Sequence, residues 1–157
     1  MTLSTSAQKV QDALAELGMS LQVVELPSST RTAIEAAQAV GCQVGQIVKS
    51  LVFRAAHSDR PVLVVASGAN RVNETLLGQV LGEPIDKADA DYVRLRTGFA
   101  IGGVPPLAHA EPLTIFIDQD LFKYTEIWAA AGTPHAVFCL TPAQLVAMTG
   151  GQVVQIT

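Results

Sequence analysis

The sequence predicts an α/β (α+β) fold, a mixed and partly antiparallel sheet with flanking helices. Three observations carry this. Helix and strand signals alternate along the chain. Two apolar runs, Ile47 to Ala55 and Pro61 to Ser67, are separated only by a hairpin-length turn. Several other connections are too short for the crossovers that an all-parallel, doubly wound sheet requires.

The first helix spans about Ser6 to Leu17, with Val10, Ala13, Leu14 and Leu17 on one stripe and Gly18 as its stop. Leu21 to Leu26 reads as a strand, and Pro27 to Arg31 as a loop. Thr32 and Glu35 have capping-box spacing, opening a helix whose buried stripe is Ala33, Ala36, Ala37 and Val40. Such small side chains imply close packing on a sheet. Ile47 to Ala55 is apolar on both faces and reads as a central strand. Ile47, Lys49, Leu51 and Phe53 share one face, with Val48, Ser50, Val52 and Arg54 on the other. His57 to Arg60 turns the chain into the second strand of an antiparallel hairpin.

Asn73 caps a third helix carrying Leu76, Leu77, Val80 and Leu81, closed by Gly82. An extended piece near Ile85 precedes a short helix from Asp89 to Arg96, acidic at its start and basic at its end as the helix dipole favours. Thr97 to His109 holds three glycines and two adjacent prolines, a segment fixed in one irregular shape. Leu113 to Asp118 is a strand and Asp120 to Tyr124 a helical turn. Ile127 to Gly132 suits either helix or strand. His135 to Leu140 is a strand, Thr141-Pro142 starts a helix ending at Gly150, and Gln152 to Ile156 is a last strand.

The 157 residues suit one domain, 1–157, with a substantial core, since 49% are hydrophobic and only 15% charged. A net charge of −4 does not mark a nucleic-acid binder in bulk, so phosphate contacts would need a local patch. Arg31, Arg54, Arg71, Arg94, Arg96 and Lys123 are the sources from which such a rim could be built. Cys42 and Cys139 have no zinc-ligand spacing and read as reduced core thiols. No metal or cofactor is expected. No signal peptide or membrane-length apolar run is present, so a cytoplasmic location is expected.

Lys49 is the most informative residue. Spacing alone leaves two readings open. Either its stem lies on apolar neighbours at a sheet rim with the ammonium in water, or it stands at a pocket floor and holds an anionic or carbonyl oxygen. Gly102-Gly103 is likewise either a structural turn or a pair of N–H donors facing an oxygen. It matches neither G-x-G-x-x-G nor a P-loop. His109 and His135 lack carboxylate or thiol partners at ligand spacing, and no G-x-S-x-G elbow accompanies Ser50, Ser67 or Thr133.

Three segments together resemble the YbaK/EbsC family. These are Gly45-Gln46-Ile47-Val48-Lys49-Ser50-Leu51-Val52-Phe53, Gly98-Phe99-Ala100-Ile101-Gly102-Gly103-Val104-Pro105-Pro106, and Gly132 leading through a strand to Leu140-Thr141-Pro142-Ala143-Gln144-Leu145. That family contains freestanding aminoacyl-tRNA deacylases and the editing domain inserted in bacterial prolyl-tRNA synthetases. The resemblance implies a largely antiparallel sheet curled around a pocket that takes the aminoacyl-adenosine end of a mischarged tRNA. By the same resemblance Lys49, Gly102 and Gly103 are catalytic. Ser50, Ile47, Leu51, Val104, Pro105 and His135 contact substrate, the carry-over to His135 being looser. A synthetase is a further implied partner.

Two positions depart from the family pattern. Ala108 stands where the loop often has glycine, and Ser50 where threonine often follows the lysine. A pocket lined by residues such as Ile47, Leu51 and Val65 would admit Ala, Ser, Cys or Thr and exclude larger side chains. A non-catalytic tRNA- or synthetase-binding module of the same fold is the competing reading.

Overall fold

The computed structural model describes residues 2–157. Helix α1 (Thr5–Glu16) begins where the Ser4 hydroxyl accepts the Ala7 N–H, and it buries Ala7, Val10 and Leu14. Strand β1 is only Val23–Glu25, shorter than its apolar run. The capping box forms at α2 (Ala33–Val40). Glu35 N–H donates to Thr32 Oγ1 at 3.1 Å, and Thr32 N–H returns to Glu35 Oε1 at 3.3 Å. Strands β2 (Ile47–Ala55) and β3 (Pro61–Ser67) make the expected antiparallel hairpin, in register from Val48 opposite Ser67 to Arg54 opposite Pro61.

Helix α3 (Glu74–Leu81) leads to β4 (Ile85–Lys87), and α4 (Ala90–Thr97) leads into the glycine-proline segment. Strand β5 (Thr114–Asp118) passes into a 3-10 turn, Gln119–Lys123. The ambiguous stretch is strand β6 (Ile127–Ala130), held between neighbours on both sides. Strand β7 (Ala136–Leu140), helix α5 (Pro142–Thr149) and strand β8 (Gln152–Val154) complete the described chain.

All eight strands form one open sheet in the order β1-β7-β6-β2-β3-β5-β8, with β4 also paired to β2. Four pairings are antiparallel (β1–β7, β6–β7, β2–β3 and β2–β4), and three are parallel (β2–β6, β3–β5 and β5–β8). The parallel pairings join strands far apart in sequence, which is why short-range turn signals do not announce them.

Helices cover both faces. Val48, Leu63, Val65, Ile117 and Phe138 pack with α1 and α5 residues Leu14 and Leu145, whereas Phe53, Val62, Val64 and Phe116 pack with Leu77 of α3. Ala36 and Ala37 of α2 cover Ile47 in a smaller cluster. Truncating any of the fully buried leucines to alanine costs about 2–5 kcal/mol, far above any difference in helix propensity, so packing rather than local preference fixes these helices. Cys42 and Cys139 are free thiols but only half-buried, at the margin of the core rather than within it. Burial and the Glu126 carboxylate, which accepts the Cys139 S–H at 2.9 Å, push the Cys139 thiol up to about 12. Among the described residues no helix is long and apolar enough to cross a membrane.

Ala108 has φ of 70°, the left-handed region. The backbone thus keeps the geometry that glycine would take there, although the residue carries a Cβ. An L-residue in that region costs about 1–2 kcal/mol. Glycine's greater freedom in the unfolded chain gives back about 0.4–1 kcal/mol. Ala108→Gly is therefore expected to stabilise the protein by up to about 1.5 kcal/mol, read as a higher urea midpoint with unchanged slope. A lower midpoint would show that the Ala108 methyl contributes more packing than its conformation costs.

Candidate active site

The site originates in how β2 shares one of its edges. Gly68 N–H donates to Ile47 C=O at 2.7 Å and Ala55 N–H to Arg60 C=O at 3.0 Å, so odd-numbered residues of β2 turn their backbone groups toward β3. Even-numbered residues turn theirs to the opposite edge. There β6 pairs only with Ile47 and Val48, and β4 only with Phe53 to Ala55. Lys49, Ser50, Leu51 and Val52 lie between the two partners, and these four are the half-exposed residues of a strand that is buried at both flanks except for Arg54. The N–H and C=O of Ser50 face this opening. Its Oγ is buried with no hydrogen-bond partner, an arrangement that a bound polar group would relieve.

A cavity of ≈ 890 Å³ occupies the opening. Ile47, Lys49, Ser50 and Leu51 form its floor, and Gly102 and Val104 belong to its wall. Arg31, Arg71 and Lys87 line it as well, with Glu74 as the acidic contributor. The local charge is therefore positive in a chain whose net charge is −4. Of the other cations considered for a basic rim, Arg54 pairs with Asp59, Arg96 bridges Asp59 and Glu111 at 3.0 and 2.9 Å, and Lys123 pairs with Asp120 at 3.3 Å.

Lys49 donates from Nζ to the Asn70 carbonyl at 2.7 Å. Burial, and then the neighbouring Arg71 charge, lower its pKa, while Asp118 acts in the opposite direction. An ammonium has three donors. One is used here, so two remain for a ligand oxygen. Asn70 and Asp118 carry no motif signal. The only sequence hint is an aspartate ending the apolar Ile115 to Ile117 run.

The glycine pair divides its work. Gly103 donates its N–H to Ala100 C=O at 3.1 Å and accepts Gly132 N–H at 2.9 Å. A Cβ on Gly103 would lie 2.8 Å from the Thr133 backbone, so its lack of a side chain serves this close approach. Gly102, at φ of 93°, faces the stem of Arg31, and among the described residues its N–H has no backbone acceptor. Gly102 is thus the member of the pair left with a free donor beside the cavity.

Not every residue singled out from sequence lines the cavity. Gly103 and Pro105 are buried behind its wall, and His135 is exposed at the His135–Ser28 contact, with Nδ1 3.3 Å from Ser28 C=O. Val65 is fully buried in the β3 core and is no part of the lining, because its side chain points to the face covered by α1 and α5. Trp128, Ile34 and Ile101 line the cavity although sequence reasoning gave them no role; the last two are 60% and 55% exposed. Among the described residues no group of three or more His, Cys, Asp or Glu side chains could hold a metal ion.

Residues 27–148 match the family model described as the aminoacyl-tRNA editing domain. A solved structure described as a candidate trans-editing enzyme for prolyl-tRNA synthetase is 52% identical, with a TM-score of 0.94 over 99% of both chains. The uncharacterised protein YwhH of Bacillus subtilis (strain 168) is 30% identical over 123 residues, 78% of either chain. EbsC of Enterococcus faecalis, named as a candidate Cys-tRNA(Pro)/Cys-tRNA(Cys) deacylase, is 24% identical over 122 residues, 77% of this chain and 74% of that one.

His109 ties down the far end of the glycine-proline segment, with Nε2 2.7 Å from Pro105 C=O. Burial lowers its pKa, the Pro105 contact opposes this, and Lys9 adds to the lowering. The unfolded chain therefore binds a proton at His109 at a pH where the folded chain does not, and stability falls as pH drops below about 6.5 through the folded value. Thermal melts at pH 7.5 and pH 5 are expected to show a smaller acid loss for His109→Gln, which keeps a donor for Pro105, than for the parent. Equal losses would remove His109 from the acid response.

Proposed function

This chain belongs to the aminoacyl-tRNA editing domain family, and from that premise we propose that it is a deacylase acting in trans on mischarged tRNA carrying a small amino acid such as Ser, Thr, Ala or Cys. The observation that carries the reading is the half-buried Lys49 ammonium in the opening of β2, with two donors unused and the Gly102 N–H on the same cavity.

An aminoacyl ester is already activated, so positioning and charge stabilisation suffice for its hydrolysis. Water adds to the ester carbonyl and negative charge develops on the carbonyl oxygen. The bond to the ribose oxygen then breaks, the ribose hydroxyl takes up a proton, and the free amino acid leaves. In this reading Lys49 and Gly102 donate to substrate oxygens, while Ser50 offers its unpartnered hydroxyl and backbone edge to the aminoacyl group. Gly103 and Pro105 act by fixing the loop that carries Gly102 and Val104. Ile47, Leu51 and Val104 bound the apolar part of the pocket, and His135 stands at its outer approach.

The cavity is large enough for a terminal nucleoside together with a small amino acid. Selection among amino acids then rests on the local shape near Ile47 and Leu51, where one methylene is worth only about 1–3 kcal/mol. Arg31 and Arg71 supply phosphate contacts at the rim. With so few cations, affinity for tRNA has a shallow salt dependence, and a partner synthetase supplies tRNA identity.

The test is to incubate the protein with tRNAs charged with Ala, Ser, Thr and Cys and to follow release of the amino acid. Release from at least one is expected, and Lys49→Ala is expected to slow it by roughly a hundredfold, the scale of losing one charge-stabilising donor. Absence of release from all four sinks the enzymatic reading. Release undiminished in a folded Lys49→Ala variant removes Lys49 from the chemistry.

A further inference from the structure

Asp118 is a carboxylate the proposed reaction does not touch, and its surroundings are unusual. It is 1% exposed and joins no ion pair among the described residues. At the end of an apolar strand an apolar side chain would serve the core as well, so a buried, unpaired charge calls for a reason. Its oxygens accept three N–H groups. Oδ1 takes the Asp120 N–H at 2.9 Å, which caps the 3-10 turn. Oδ2 takes the Ser67 N–H at 2.9 Å and the Asn70 side-chain amide at 2.8 Å.

Capping explains Oδ1 only. Oδ2 is given to the Ser67–Asn70 turn, which further hydrogen bonds also tie down. Asn70 N–H donates to Ser67 C=O at 3.0 Å, and the Asn70 amide donates to Asp120 Oδ2 at 2.8 Å as well as to Asp118. Ser67 Oγ donates to Gly45 C=O at 2.7 Å, fixing the turn to the residues that enter β2. The network meets the cavity-lining Lys49 through the Asn70 carbonyl, which accepts from the ammonium at 2.7 Å.

We infer that Asp118 is a positioning residue for Lys49, acting through Asn70 to fix where the ammonium stands. The inference rests on the proposed role of Lys49, but the arrangement itself is independent of the reaction. The charges that bear on Lys49 are Arg71, which disfavours its protonated form, and Asp118, which favours it. Arg31, Glu74 and Lys87 line the remainder of the cavity, and Asp120 lies behind Asn70. Removing the Asp118 charge leaves burial and Arg71 unopposed, so Lys49 should lose its proton at lower pH.

The experiment titrates the Lys49 side-chain signal by NMR in protein carrying isotope-labelled lysine, assigned with Lys49→Arg. Asp118→Asn is expected to move the titration to lower pH, and Arg71→Met to move it to higher pH. Where deacylation is measurable, Asp118→Asn should lower kcat roughly tenfold or more with a much smaller change in KM, as displacement of a reacting group does. A folded Asp118→Asn variant whose Lys49 titrates as in the parent overturns the inference. Should that variant not fold, Asn70→Ala leaves Asp118 with its two backbone donors and releases only the turn. Reductive methylation of Lys49 should then be severalfold faster than in the parent, and an unchanged rate overturns the inference. Neither the titration nor the methylation needs turnover, so failure of the deacylase reading and failure of this inference are told apart.

Discussion

A single strand edge divided between two short partners is the constraint from which the site follows. β2 needs a neighbour on each side to satisfy its backbone, and β3 supplies one side in full. On the other side β6 covers the beginning and β4 the end. Neither is long enough to meet the other, so the sheet opens in its middle rather than at its rim. A lysine and a serine at that point are half-buried because of where the strand stands, without any special loop to expose them. The opening also leaves the backbone groups of Ser50 that would have met a strand without a strand partner.

Much of this was legible in the sequence, and the parts that were not have a common cause. The β2–β3 hairpin, the Thr32–Glu35 capping box and the glycine stops all depend on residues within a few positions of one another, and the structure has them where those local signals put them. Lys49 attracts notice because a lysine in the middle of an apolar strand is uncommon. The Ile127 to Gly132 stretch stayed ambiguous because its strand conformation depends on β2, some eighty positions earlier, rather than on its own alternation. Val65 was misplaced for a related reason. Its apolar character shows that it is buried, but only the register shows toward which face. Asp118 and Asn70 carry no motif because their significance is wholly a matter of what lies opposite them.

The charge distribution resolves an apparent conflict between an acidic chain and a tRNA-related family. Arg31, Arg71, Lys49 and Lys87 converge on the cavity from four different elements or loops. Elsewhere cations are consumed by structure: Arg54 and Arg96 flank the Tyr92 ring at 5.3 and 5.2 Å while both pair with Asp59. Four of the ten cations thus gather on one cavity that has Glu74 as its acidic contributor. That geometry favours short-range recognition of a strand end over sliding along a duplex, which requires many phosphate contacts at once.

The parallel pairing of β2 with β6 also sets the order in which the molecule can be completed. β2, β3 and β4 are all made within the first part of the chain, whereas β6 emerges only about forty residues after β4. Throughout that interval during synthesis the beginning of β2 has an open hydrogen-bonding edge flanked by apolar side chains, the kind of surface that recruits strands from other chains. The lysine at position 49 then bears on assembly: a charge beside that edge discourages such pairing until β6 arrives.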